Sequence, residues 1–290
     1  MLRNQLLEEF GYKNRFPVLD HGHVFVVDVM GDDETVERAA RVSYQKGTRA
    51  KRDTEHLIRY LMKHRHTTPF EQCVITLDMK MPIFVARQFV RHRTQSINEI
   101  SGRYSELPEE FYVPEPRNLC YQSKKNKQGR AEAYPPEEAD ALLLQMTDES
   151  QESFRTYKQF LDADMARETA RIQLPLSTYT QWQTTMSLHN LFHFLKLRLD
   201  PHAQWEARQY ANAIFKIVMA WVPLSAQAWV EYQYGAHTFS LTEVQALREL
   251  VKRVDEDDFR HALSGLDMSD REIRSFLEVL GVPHVRHRSE

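Results

Sequence analysis

Strand-like runs are few in this chain and lie far apart, and that spacing limits the folds open to it. HVFVVDVM, residues 23 to 30, is β-branched and apolar and is bounded by Gly22 and Gly31. It reads as a buried strand. The next such run alternates Val74, Thr76 and Asp78 against Ile75, Leu77 and Met79, the pattern of a half-exposed strand. TYTQWQTTM, residues 178 to 186, is rich in Thr and aromatic residues and is strand-like. Most of the chain between these runs has helical periodicity. Regular β-α-β alternation is missing, so the expected class is α+β, with mixed helices around a small sheet.

The helical stretches carry their own punctuation. Asp32 and Asp33 suit an N-cap and first turn, Val36, Ala39, Ala40 and Tyr44 form an apolar face, and Gly47 suits a C-cap. Residues 53–65 form a second helix with Leu57, Ile58 and Leu61 inward. Pro82 fits the first turn of a helix over 82–93, whose stripe is Ile83, Val85, Ala86, Phe89 and Val90. Residues 122–136 are polar and basic with Gly and Pro and read as an exposed loop. Helices are expected over 137–163, within 164–175, over 187–198 and over 202–221, with a short one opened by Pro223. From residue 238 the character shifts to charged amphipathic helices, with Ser269 and Glu272 placed for a capping box. Residues 238–290 therefore read as a helical extension on a domain spanning 1–237.

Composition narrows the function. The 290 residues are 42% hydrophobic and 27% charged, with a net charge of -3. That balance argues against a protein gripping a nucleic-acid backbone. No run approaches the roughly 18 apolar residues of a membrane span, and MLRNQLLEEFGYKNRF lacks the apolar centre of a signal peptide. Cys73 and Cys120 fit neither a disulfide framework nor a zinc spacing, so a reducing cytoplasm is the expected compartment.

The most unusual stretch is RHRTQSINEISGRYSE, residues 91–106, which follows directly on the apolar MPIFVARQFV. Arg91, Arg93 and Arg103 offer forked donors for an anion. Ser101 and Gly102 add a hydroxyl and a backbone open to close approach, and Asn98 and Glu99 add acceptors. Ser101 is not an elbow nucleophile, because Glu99 and Arg103 stand where glycines are needed. His64 and His66 have no carboxylate at ligand spacing, so no metal site is expected.

Arg91-His92-Arg93, seven residues, then Ser101 resembles the R-H-R-x7-S signature of the flavin-dependent thymidylate synthases. HTTPFE at 66–71, PIFVARQFVRHR at 82–93, NEISGRYS at 98–105, ARIQLP at 170–175 and LRLDPHAQWE at 197–206 are similar to that family in the same order. The likeness covers roughly residues 20–235.

It implies an α+β fold with a mostly antiparallel sheet, and an enzyme that converts dUMP to dTMP. Methylenetetrahydrofolate would give the carbon, NADPH the hydride, and FAD would mediate. By the same resemblance, Arg91, His92 and Arg93 contact FAD, joined by Ser43, His66 and Thr68. Glu99 touches both flavin and nucleotide. Gln88, Phe89, Val90, Arg91, Ile100, Ser101, Gly102, Arg103 and Arg171 bind dUMP. Arg198 favours the ionised N3 of the uracil and is the catalytic residue. The sequence departs from the family where Asn, Ala, Arg and a later Asn are usual: Ser187, Leu188, His189 and His193 stand there. Ser187, His189 and His193 become the expected flavin wall.

The family also implies a homotetramer with active sites at subunit interfaces, which would bring Ser43 and the 187–193 segment to the Arg91 stretch from another chain. His21, His23, His284 and His287 fall outside the pattern and are expected in solvent. Competing readings are a methyltransferase for another uracil nucleotide, an inactive nucleotide-binding scaffold, and a synthase with a cysteine nucleophile.

Overall fold

A computed structural model describes residues 2–43, 53–254, 259, 261–263, 265, 266, 268 and 270–282. Tyr44, Gly47, Ser269, His284 and His287, named above, lie outside the described residues. The chain divides into two compact units, Met1–Gly235 and Ala236–Glu290.

The first unit is built on a sheet in which every neighbouring pair is antiparallel. After helix α1 (Leu2–Phe10) come β1 (Phe16–Val18) and β2 (Gly22–Met30). Helices α2 (Asp33–Arg41), α3 (Thr54–Lys63) and α4 (Thr68–Glu71) lead to β3 (Val74–Pro82), α5 (Ile83–Phe89) and β4 (Ser96–Glu99). A ribbon of β5 (Cys120–Gln122) and β6 (Arg130–Ala133) precedes α6 (Pro136–Asp162) and α7 (Arg167–Ala170). Strand β7 (Tyr179–Ser187) is followed by α8 (Leu188–Arg198), α9 (Trp205–Trp221) and α10 (Pro223–Trp229). The main sheet runs β1-β2-β3-β7-β4. The α+β expectation holds.

Strand β3 alternates between a buried and a partly exposed face as expected, with Asp78 as the departure. Ile75, Leu77 and Met81 are fully buried on one face, and Asp78 on the other is 5% exposed. Val74, Thr76 and Lys80 on that second face stay partly exposed, so the alternation fails at Asp78 and not along the strand. Asp78 accepts from Gln181 Nε2 at 2.8 Å, and His23 Nε2 lies 3.4 Å from it. His23 is therefore buried, not solvated, with its Nε2 facing the Asp78 carboxylate but making no hydrogen bond to it.

Helix α9 lays Tyr210, Ile214, Ile217, Val218 and Trp221 into the same core. Asp32 caps α2 by accepting from Thr35 N at 2.9 Å, as its sequence position suggests. Asp33 instead reaches across the chain to the start of α10. It accepts from Leu224 N at 2.9 Å, Ser225 N at 3.0 Å and Ser225 Oγ at 2.6 Å, satisfying helix-end donors that have no partner inside the helix. Burial still raises its carboxyl above the usual range. Gly31, at φ +81°, makes the turn from β2 to α2, and a Cβ there would sit 2.9 Å from Cys73 Sγ.

Two other expectations need correction. Residues 122–136 are not a plain loop, because β6 within them pairs with β5, which ends at Gln122, Tyr134 stacks on Tyr121 at 3.9 Å, and Arg130 is anchored on Glu206. The helix expected over 82–93 ends at Phe89, because its last carbonyls are claimed from elsewhere. Gln88 O accepts from Arg198 Nη2 at 2.9 Å. Phe89 O accepts from Gln95 Nε2 at 2.9 Å and His92 N at 3.0 Å.

In the second unit α11 (Leu241–Val251) is opened by a capping box between Ser240 and Glu243. Arg248 Nε donates to Val279 O of α12 (Asp270–Leu280) at 2.9 Å.

Candidate functional site

The site grows from the turn that joins α5 to β4. Helix α5 buries Val85, Ala86 and Phe89, which leaves Arg87 outward on the helix, and the turn after Phe89 leaves Arg91 exposed four residues on. Gln95 then pins the turn. It donates to Phe89 O and accepts from Thr184 Oγ1 of β7 at 2.7 Å. Asn190 of α8 adds a bond to Thr94 O at 3.1 Å. The turn can therefore present arginines without being mobile itself.

Arg87, Val90, Arg91 and Arg93 line one cavity of about 420 Å³. Arg87, Arg91 and Arg93 are exposed, and none forms an ion pair with a described carboxylate. Three guanidiniums on one cavity with no counter-charge suit a polyanion. Arg93 also borders a shallower depression of about 370 Å³ with Thr94, Gln95, Ser96 and Ser187.

His92 points the other way. It is 9% exposed and accepts from Arg198 Nε at 3.0 Å. Its ring meets Phe194 edge-on at 4.9 Å and His193 at 6.0 Å. Burial, then Arg198 and His193, push its pKa down to about 4, so the imidazole is neutral at physiological pH. Burial also pulls the Arg198 guanidinium below its ordinary value.

On the β4 side, Thr180 Oγ1 donates to Glu99 Oε1 at 2.5 Å. Gln88 Nε2 donates to Gln204 Oε1 at 2.5 Å. Ile100 is exposed and hydrogen-bonded through its backbone N to Gln181 O at 2.9 Å. Ser101 Oγ accepts from Arg103 N at 3.3 Å. Gly102 lies under Arg171, so close that a Cβ would stand 3.1 Å from Arg171 Cδ. Arg103 is paired with Glu168 at 2.8 Å, both side chains more than half exposed. A third group forms around His66, which lines a small pocket with Thr67, Phe70, His189 and Phe192. Thr68 is exposed on the first turn of α4, and Ser43 is exposed just beyond α2. Ser187 caps α8 by accepting from Asn190 N at 3.4 Å.

The 187–193 segment meets the arginine turn within one chain, through Ser187 beside Arg93 and His193 beside His92. No described contact brings Ser43 to this region.

The family model for "Thymidylate synthase complementing protein" matches residues 25–224. A flavin-dependent thymidylate synthase of Thermus thermophilus is 50% identical over 262 residues, covering 90% of this chain and 94% of that protein. One from Ruegeria pomeroyi is 46% identical over 269 residues, covering 91% and 87%. This chain belongs to the flavin-dependent thymidylate synthases. A solved structure of a UMP/dUMP methylase, PolB from Streptomyces cacaoi with bound 5-Br UMP, superposes with a TM-score of 0.68 at 34% identity. It covers 76% of this chain and 99% of that one.

This synthase is thus a methyltransferase, and neither cysteine lines the arginine cavity. Cys73 is buried; burial, then Asp32 and Asp33, push its thiol up to about 12. A group so protonated is no nucleophile near neutrality, which removes the cysteine-dependent reading for that residue. Cys120 sits half-buried in the β5–β6 ribbon.

Sequence reasoning passed over Arg87, although its place one turn before Arg91 was visible. It also missed Gln95, Asn190 and Gln204, whose signals are tertiary hydrogen bonds and leave no local pattern.

Proposed function

We propose that this synthase carries out the FAD-dependent reductive methylation of dUMP to dTMP, with methylenetetrahydrofolate as carbon donor and NADPH as hydride donor, for thymidylate synthesis in the cytoplasm. The observation that carries the reading is the cavity of three guanidiniums unpaired among the described residues, which fits the diphosphate of FAD. When bound, FAD supplies the redox chemistry between NADPH and the nucleotide.

The chain's own residues bind, orient and stabilise charge. Arg91 and Arg93, with Arg87 beside them, hold the cofactor's phosphates. His66, Thr68, Ser187, His189 and His193 wall the flavin, and Ser43 reaches it from a neighbouring chain of a homotetramer. His92 stands behind the same wall.

Ser101 Oγ, the Gly102 N–H, Arg103 and Arg171 hold the dUMP phosphate. The Arg103–Glu168 pair is exposed and so gives little resistance to release of Arg103, since such pairs are worth about 0–1 kcal/mol. Gln88, Phe89, Val90 and Ile100 flank the nucleotide. Glu99, oriented by Thr180, accepts from the nucleotide and the flavin. Arg198 stabilises negative charge developing at N3 of the uracil, and a fixed cation in a partly dry site does this without reorganising.

The test is the visible spectrum of the purified protein with FAD, followed anaerobically as NADPH is added with and without dUMP. Flavin bleaching that depends on dUMP, followed by dTMP once methylenetetrahydrofolate is added, is the expected result. Absence of flavin binding would return the scaffold reading to first place. UMP is the comparison substrate, because the solved relative is described as a methylase of both UMP and dUMP. Methylation of UMP at an equal rate would move the reading to uracil nucleotides in general.

A further inference from the structure

We propose that His92 is a positioning residue for Arg198: its imidazole accepts one guanidinium N–H and so fixes the direction of the donors left for the nucleotide. The inference rests on the reading of Arg198 as the residue that activates the uracil.

The Arg-His-Arg triplet is split in space. Arg91 and Arg93 are exposed, whereas His92 is buried against α8. There Arg198 Nε donates to His92 Nε2 at 3.0 Å and Arg198 Nη2 donates to Gln88 O at 2.9 Å. A guanidinium has five N–H donors, so two anchors leave about three free for a ligand.

Both anchors are uncharged acceptors. A carboxylate in place of His92 would fix the arginine just as well, but it would take two donors and oppose the cation's field. A neutral imidazole fixes direction and leaves the whole positive charge for the developing anion. Because Nε2 accepts, the ring proton sits on Nδ1. The charged or titratable groups facing the ring are Arg198 and His193, both on α8, and both disfavour the imidazolium. Phe194 edge-on and the His92 N to Phe89 O bond hold the ring plane and backbone.

The experiment compares His92→Phe, His92→Gln and His92→Asn holoenzymes by FAD content, KM for dUMP and kcat. Phe keeps the ring and loses the lone pair. Gln can place an amide oxygen near the Nε2 position, while Asn reaches only as far as Nδ1. The expected result is native FAD content in all three and a KM for dUMP within about threefold of native. In His92→Phe kcat falls about 10- to 100-fold. His92→Gln recovers to within about fivefold of the native kcat, and His92→Asn does not.

FAD loss in every variant would assign His92 to the flavin itself and overturn the proposal. A native kcat in His92→Phe, or equal recovery by Asn and Gln, would overturn it too. A second readout does not depend on activity. The 15N spectrum of histidine-labelled native protein should show His92 as the neutral Nδ1–H tautomer at pH 6, and an imidazolium there overturns the geometry. If the native protein makes no dTMP yet shows that tautomer, the functional reading has failed and the His92–Arg198 contact has not.

Discussion

Arg130 and the Arg87–Arg91–Arg93 set use the same side chain for opposite ends. Arg130 sits on the β5–β6 ribbon and places Nη2 at 2.5 and 2.6 Å from the two oxygens of Glu206. The Glu206 side chain is only 4% exposed. Tyr112 OH adds a third hydrogen bond at 3.3 Å, and the guanidinium lies over the Trp205 ring at 5.9 Å. The three cavity arginines have no such partner among the described residues. A guanidinium that the fold has already neutralised is part of the fold. One left with its charge in a cavity is there for something that arrives later. Arg198 is a third kind, fixed by two neutral acceptors and therefore both rigid and fully charged.

The largest expected effect tests that third kind. Arg198→Ala should lower kcat by about 100- to 1000-fold while FAD stays bound, the range seen when one preorganised stabiliser of developing charge is removed. Full turnover would show that rigidity and charge at residue 198 serve no chemistry. Next comes Arg130→Ala, which leaves a nearly buried carboxylate without its cation. The expected loss is about 3 kcal/mol, or a Tm lower by roughly 6–12 °C in a domain of this size. FAD affinity at 25 °C should be unchanged. A fall in FAD affinity would erase the distinction between the paired and unpaired arginines.

Acid should separate His92 from Asp33, because their shifts have opposite signs. The unfolded chain protonates His92 near its ordinary value of 6.5, but the folded chain resists until about 4. The neutral ring's contribution is therefore complete above pH 6.5 and is lost as pH falls towards 4. It amounts to about 3 kcal/mol. Asp33, whose folded pKa is raised, takes up its proton earlier in the folded state and stabilises on the same acid descent. Denaturant unfolding of the native protein and His92→Gln from pH 7.5 to 4.5 should give curves that converge as the pH falls. Parallel curves would mean that His92 is not held neutral.

Much of the fold was legible because strands and helices write their periods into the chain. The runs at 23–30 and 178–186 became β2 and β7, and the Pro82 break fell where β3 gives way to α5. What failed depended on partners distant in sequence. Val74 to Met79 alternates, yet neighbours on both sides bury Asp78, and His23 follows it inward. Helix α5 stops four residues early because Gln95 and Arg198 take its last carbonyls.

The site divides in the same way. Arg91, Arg93, Ser101 and Gly102 stand within one short stretch and could be read together. Local spacing could not reveal that His92 turns its back on its neighbours, nor that Gly102 is small because Arg171 lies over it.

The smallest effect in free energy is the sharpest test of the opening contrast. Arg87→Gln, Arg91→Gln and Arg93→Gln remove charges that no described carboxylate balances, so stability should move by no more than about 0.5 kcal/mol, as for surface changes away from buried networks. Relief of repulsion among the three could even raise the Tm slightly. Affinity for FAD should instead fall, by about tenfold for each charge-assisted bond lost to the phosphates. Because the interaction is between a cationic cavity and a polyanion, the native affinity should also weaken with added salt, and each substitution should flatten that dependence. Arg87 is the most informative of the three, since it lies outside the R-H-R signature and owes its assignment only to its place on the cavity wall. If Arg91→Gln and Arg93→Gln lose FAD and Arg87→Gln does not, the anion reaches only the turn and not the helix. If all three lose stability and keep FAD, they are structural like Arg130, and the cavity is not a phosphate site.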